Sequence, residues 1–214
     1  MYIHQLSFYL NKNMKNNNKI LNLGRDPFNL FKQWFLLAEK KEINDPNAVN
    51  LSTVNKKNRP SSRMVLMKSF NRKGFTFYTN TNSKKGKDMF LNPFVCLNFH
   101  WKTINKQVRI EGRIKKVKKI ESDKYFETRP MESKIGAWAS NQSSSLLSRE
   151  LLEKRFKFFK KKYKDKKINR PPFWLGYVVE PYLIEFWQEM PFRLHDRLEF
   201  RKIKGEWKSR KLYP

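Results

Sequence analysis

The chain has 214 residues, of which 39% are hydrophobic, with 18 Phe and 6 Trp: enough for one well-packed domain and short for two. Its net charge of +28 raises nucleic acid or an anionic membrane as a partner, but Lys greatly outnumbers Arg, Asn is abundant ("NKNMKNNNKI") and the lysines are scattered, which favours a solvated basic surface. The lone Cys96 excludes a disulfide framework within one chain, and His4, His100 and His195 lack metal-ligand spacing.

Residues 1–25 are polar and read as a flexible N-terminal arm ahead of a single domain over residues 26–214. "RDPFNLFKQWFLLAEKKEI" reads as a helix, with Asp26 as N-cap, Pro27 in the first turn, and Phe28, Phe31, Trp34, Phe35 and Ala38 as its buried stripe. Five strand candidates follow: "AVNLSTV", "SSRMVLMKSF", "GFTFYTN", "FVCLNFHW" (with Cys96 as a buried thiol) and "KQVRIEGRIKKV". A short helix opens at Ser83 between the third and fourth. "ESDKYFETRPMESKIGAWAS" reads as helical around Pro130, either continuous or as two pieces meeting at Arg129. "LSRELLEKRFKFFKKKY" gives a longer helix with Leu147, Leu151, Leu152, Phe156 and Phe159 inward. "FWLGYVVEPYLIEFWQ", "FRLHDRLEFRKI" and "EWKSRKLY" are the C-terminal strands. Without βαβ alternation, this order predicts a mostly β, α+β fold: a β-barrel with helices packed around it. With no signal-peptide pattern and no apolar run near the ~18 residues of a spanning helix, a soluble cytoplasmic protein with neither nucleic acid nor membrane as partner is expected.

Four segments carry cations near hydroxyls or element ends. In "RMVLMK", Arg63 and Lys68 fall on opposite faces of a strand, beside what reads as a buried "MVLM" run. In "TNSKKGK", Ser83 leaves a helix N-terminus beside Lys84 and Lys85, a place that attracts phosphate. Tyr125, Arg129 and Ser133 recur every four residues and suit a phosphate monoester. In "FRLHDRLEF", read as a strand, Arg193, His195 and Arg197 share one face, with Leu194, Asp196 and Leu198 on the other. Each has a bland alternative as solvated surface. Together they exceed what one phosphate needs and fit two phosphorylated ligands. No hydrolytic constellation appears, so a cofactor is expected to carry the chemistry.

The blocks "RMVLMK", "FYTN", "SKK", "KQVRIEG", "YFETRPMESKIGAWASNQSS", "PPFWLGY", "IEFWQ" and "RLHDR", from about Asp26 to the C-terminus, resemble pyridoxine/pyridoxamine 5′-phosphate oxidases in order and spacing. The resemblance implies an FMN-binding split β-barrel, working as a homodimer with FMN sites at the subunit interface. It implies that Arg63, Met64, Val65, Leu66, Met67, Lys68, Tyr78 and Thr79 line FMN and that Lys84 and Lys85 take its phosphate. By the same resemblance, Gln107, Gln142, Ser143, Trp187 and Arg197 would complete the cofactor site, partly from the other subunit. Lys68, Tyr125, Arg129, Ser133, Arg193, Leu194 and His195 would hold the substrate, with Arg193 and His195 as the catalytic pair at its C4′ carbon. The implied reaction oxidises pyridoxamine or pyridoxine 5′-phosphate to pyridoxal 5′-phosphate, with O2 as acceptor and H2O2 as product.

The chain departs from the family pattern at Lys84 and Lys211, where Arg is common, and in its arm, "LSFYLNKN", where Tyr9 lacks the usual preceding Arg. Two rival classes are another FMN split-barrel flavoprotein, such as a flavin reductase or a storage-type protein, and a basic nucleic-acid-binding barrel. The first has no need for Tyr125, Arg129, Ser133 and "RLHDR" together, and the second rests on charge alone.

Overall fold

The computed structural model describes residues 26–214; the expected N-terminal arm lies outside the described residues. Helix α1 (Pro27–Lys41) starts where Asp26 accepts a hydrogen bond from the Phe28 N–H at 2.9 Å. Its Phe28, Leu30, Phe31, Trp34 and Ala38 are buried, while Phe35 is half-buried at the edge of the stripe. The Phe31 ring meets those of Phe70, Phe75, Phe99 and Trp101, and Trp34 packs edge-on to Phe186.

Strands β1 (Ala48–Val54), β2 (Pro60–Asn71), β3 (Gly74–Asn80), β4 (Phe94–Trp101), β5 (Lys106–Lys116) and β6 (Trp174–Gln188) pair antiparallel in the order β3-β2-β1-β4-β5-β6. A further β3–β6 ladder closes them into a barrel, so no strand of that set is left with an open edge. Strands β7 (Asp196–Ile203) and β8 (Glu206–Leu212) continue from β6 as a C-terminal ribbon. The strict alternation of buried and half-buried residues in β1 turns Val49, Leu51 and Thr53 inward, the period-2 signature of a one-sided core. Helix α2 (Lys84–Leu91) lies between β3 and β4, and helices α3 (Lys119–Glu127), α4 (Met131–Ala139) and α5 (Arg149–Lys162) lie between β5 and β6. They frame a second, smaller core of Phe126, Ile135, Ile168 and Trp174.

Four expectations change and one open alternative is decided: the segment around Pro130 is two helices, because the proline ring disfavours helix at Arg129. In α5 only Leu152, Phe156 and Phe159 turn inward, at i, i+4, i+7 spacing. Leu147 precedes the N-cap Ser148 and is 91% exposed, and Leu151, about 100° round the helix from Leu152, points outward. The "MVLM" run is not buried as a unit: Met67 is inside the barrel, whereas Met64 and Leu66 lie on its exposed outer face. "FRLHDRLEF" is not one strand. Pro191–Arg193 form a 3-10 turn in which Phe192 and Arg193 are left-handed (φ 59° and 61°), and β7 begins only at Asp196. Arg193 and His195 are therefore presented by a turn, and the strand alternation linking them to Arg197 does not apply. Cys96 is half-buried, and burial pushes its thiol pKa up.

Among the described residues, no helix is long and apolar enough to cross a membrane, and no group of His, Cys, Asp or Glu is arranged to hold a metal ion.

Candidate active site

A cleft of about 610 Å³ opens where β2, the end of β3, the start of α2 and helices α3 and α4 meet. Met64, Val65, Leu66 and Lys68 enter it from β2, and Tyr78 and Thr79 from β3. Lys85, Tyr125, Arg129, Ser133 and Gln142 complete the set of expected residues that the fold gathers there. The rings of Tyr78, Tyr125 and Trp174 lie nearly parallel in a triangle, with centroids 4.1 Å (Tyr78–Tyr125), 5.1 Å (Tyr78–Trp174) and 6.1 Å (Tyr125–Trp174) apart, giving one wall an aromatic face.

The α2 end of the cleft gathers backbone donors and a buried cation. The Ser83 hydroxyl caps the helix by accepting from the Gly86 N–H at 3.3 Å. Gly86 is required there, since a Cβ would stand 2.2 Å from the Thr81 carbonyl oxygen. The buried Lys85 donates to Gln142 Oε1 at 2.7 Å and to the Ser83 hydroxyl at 3.3 Å. Burial, with the Arg63 guanidinium nearby, lowers its pKa to about 8. No carboxylate pairs with it among the described residues, whereas Lys84 bonds Asp88 at 2.8 Å and Ser61 at 2.9 Å. Arg63 is occupied by the Leu51 carbonyl, Thr53 and Ser61, and does not line the cleft.

Arg129 is a second cation of the cleft, half-buried. Its guanidinium lies over Trp174 (4.8 Å) and Phe126 (5.4 Å), and its buried Nη1 has no hydrogen-bond partner. An orphaned buried donor is costly, so this site calls for an acceptor. Burial lowers the Arg129 pKa, opposed by Tyr125.

The remaining expected residues are not in the cleft of the same chain. Met67 is in the core, and Ser143 sits just past Gln142 with φ 71°. Gln107, Trp187 and Arg197 are opposite one another across β5, β6 and β7, forming a row that runs from the barrel onto the first strand of the C-terminal ribbon. His195 packs on Trp187 (4.7 Å) and its Nδ1 accepts the Met190 N–H at 3.2 Å, while Arg193 and Leu194 are exposed beside it. Sequence reasoning missed Trp174 as the cleft's aromatic floor, although "PPFWLGY" had marked the segment, and also missed Glu185, which binds Arg197 at 2.8 Å. A single acid in the apolar run "YLIEFWQ" gave no sign of its partners.

Residues 37–162 match the family model described as pyridoxamine 5′-phosphate oxidase, and residues 174–214 match the pyridoxine 5′-phosphate oxidase C-terminal dimerisation region. Curated relatives named pyridoxine/pyridoxamine 5′-phosphate oxidase include one from Bartonella henselae, 50% identical over 191 residues (88% of this chain and 92% of the relative). Another, from Brucella canis, is 45% identical over 203 residues (94% and 100%). PhzG from Burkholderia lata, solved in complex with tetrahydrophenazine-1-carboxylic acid, is similar at a TM-score of 0.86 and 28% identity (92% of this chain and 96% of that one). A pyridoxamine 5′-phosphate oxidase-related, FMN binding protein from Nostoc punctiforme shares the fold at a TM-score of 0.70 and 14% identity (88% and 98%).

Proposed function

The chain belongs to the pyridoxamine 5′-phosphate oxidase family, and on that footing we propose that it oxidises pyridoxamine or pyridoxine 5′-phosphate to pyridoxal 5′-phosphate with FMN as cofactor. One observation carries the reading: a single cleft holds two separate cations that suit anions, Lys85 at the N-terminus of α2 and Arg129 with its unbonded Nη1, beside an aromatic wall. One phosphorylated ligand would satisfy one of them. A phosphorylated cofactor and a phosphorylated substrate satisfy both.

The residues fit FMN. Lys85, the capped start of α2 and Thr79 offer donors to its phosphate, with Lys84 adding charge at the rim. Met64, Val65 and Leu66 from β2 line the ring's place along the strand. When bound, FMN supplies the acceptor for the hydride leaving the substrate carbon and passes its electrons to O2, giving H2O2. Lys68, Tyr125, Arg129 and Ser133 hold the substrate phosphate, with Arg129 offering a fork of donors.

The site is completed in a homodimer. The ribbon lies in the segment that matches the dimerisation region, and a second copy's ribbon, with the adjoining ends of its β5 and β6, brings Gln107, Trp187, Arg193, His195 and Arg197 to this cleft. His195 accepts at Nδ1 from Met190, so its neutral ring carries the proton on Nε2 and presents a donor to substrate. Its work and that of Arg193 is orientation at the reacting carbon.

The test is direct. The purified protein should show a bound-flavin visible spectrum and form aldehyde and peroxide from both substrates. A protein that binds FMN yet turns over neither substrate would overturn the assignment of the reaction.

A further inference from the structure

Arg109, Glu185, Glu199 and Arg210 stand opposite one another in register across β5, β6, β7 and β8. Glu185 and Glu199 are each 3% exposed. Two buried carboxylates side by side on neighbouring strands repel, and they persist only when cations satisfy them. Each has its own. Glu199 accepts from Arg210 Nε at 2.7 Å, with Arg201 at 3.6 Å. Glu185 accepts from Arg197 Nε at 2.8 Å through Oε1 and from Arg109 Nη2 through Oε2, while Arg109 also donates to Glu111. Burial alone would raise the Glu185 pKa, but the two arginines hold it below the ordinary carboxylate range.

The consequence falls on Arg197. Its Nε is held by Glu185 and its Nη1 by the Tyr213 carbonyl oxygen at 2.9 Å, while Nη2 makes no bond within the described residues. Two points fix a planar guanidinium in both position and rotation, so the remaining edge faces one direction before any ligand arrives. A long side chain ordered in advance loses less freedom on binding.

We propose that Glu185 is a positioning residue for the cofactor site: clamped between Arg109 and Arg197, it aims the free edge of Arg197 at the flavin. This rests on the reading that Arg197 meets FMN, and the experiment separates the two. FMN affinity of the apoprotein is measured by flavin fluorescence for Arg197→Leu, Glu185→Gln and the double variant, with a thermal melt of each apoprotein. Arg197→Leu should weaken FMN by about ten- to a hundredfold, the loss of a charge-assisted contact. Glu185→Gln should weaken it by a substantial part of that. The double variant should be no worse than Arg197→Leu alone, within about threefold, because Glu185 then has nothing left to aim. A role confined to the fold would instead give multiplying losses, and that result overturns the proposal. So does an unchanged affinity in Glu185→Gln beside a weakened Arg197→Leu. An unchanged Arg197→Leu removes the reading beneath it. Should Glu185→Gln fail to fold, Glu185→Asp enters the same cycle: it keeps the charge between the arginines but is one methylene short of Arg197.

Discussion

The cleft and the C-terminal ribbon are both rich in cations, yet they handle charge in opposite ways. In the cleft, Lys85 has only neutral partners and Arg129 has an unsatisfied buried nitrogen. On the ribbon and the barrel strands it continues from, Arg197 and Arg109 share Glu185, and Arg210 is matched by Glu199. A cation left without a counter-charge in a buried place is destabilising until an anion arrives, so its cost is recovered on binding. A cation already paired cannot contribute much net charge to a ligand, but its geometry is set. On the proposed reading, the cleft would supply the uncompensated charge that phosphates seek, and the paired cations would supply fixed geometry.

The sharpest way to break this comparison is at α2, where two adjacent lysines fall on opposite sides of it. Lys85→Ala should weaken FMN by about ten- to a hundredfold, because a charge-assisted bond is worth roughly 1.5–3 kcal/mol, while riboflavin, which lacks the phosphate, should change by less than about threefold. Lys84 is half-exposed and paired with Asp88, so Lys84→Ala should cost FMN no more than about threefold. Equal losses for the two lysines, measured by titrating the apoproteins, would contradict the distinction.

Arg129→Lys tests the second anion group with charge conserved. A lysine keeps the cation but loses the planar fork that lies over Trp174. About a tenfold rise in KM for the phosphorylated substrate, with FMN content unchanged, is expected from steady-state rates and the visible spectrum. A parallel loss of FMN would mean that the two anion groups serve one ligand.

The pH dependence of FMN binding carries a smaller effect. Below about 8, Lys85 is already cationic when the phosphate arrives; above it, the amine must take up a proton on binding. Affinity should fall by up to about tenfold per pH unit above 8, and the fall should vanish in Lys85→Met. Stability of the apoprotein should move the other way. The folded-state pKa lies below the ordinary 10.5, so between about 8 and 10.5 the unfolded chain holds more protons and the fold gains stability as pH rises. Lys106, also lowered to about 8 by burial and held against Trp34 and Gln188, adds the same sign to stability.

Much of the barrel was legible because its strands obey local rules: β1, β3 and β4 begin and end where alternation and turn residues place them, and α1 carries its own cap. Cleft residues were legible where they sit beside an element end, as Lys85 does after Ser83. What escaped depends on contacts made far along the chain. Leu151 looks like a core residue from spacing, but only the Leu152, Phe156, Phe159 face meets α4 and the second core. Glu185 looks like an isolated acid until register brings Arg109 and Glu199 to either side. The turn at Pro191 hid behind an alternation that suits a strand, because two consecutive left-handed residues, Phe192 and Arg193, leave no mark when neither is glycine.

That turn also provides the smallest and most specific test of the ribbon as an orienting device. Its geometry gives His195 a fixed tautomer: the Met190 N–H occupies Nδ1, so the neutral ring offers its proton only from Nε2. The two amide replacements separate these nitrogens. Asparagine reaches only the position of Nδ1, where its Oδ1 can accept from the Met190 N–H, whereas glutamine reaches the position of Nε2 and keeps a donor there. A neutral hydrogen bond is worth about 0.5–1.5 kcal/mol, or roughly two- to tenfold in rate. His195→Gln should therefore retain kcat/KM within about threefold, and His195→Asn should lose close to tenfold, with FMN content equal in both. A role as a base at Nε2 requires a free lone pair there, which glutamine's NH2 does not supply. In that case both variants would lose activity alike.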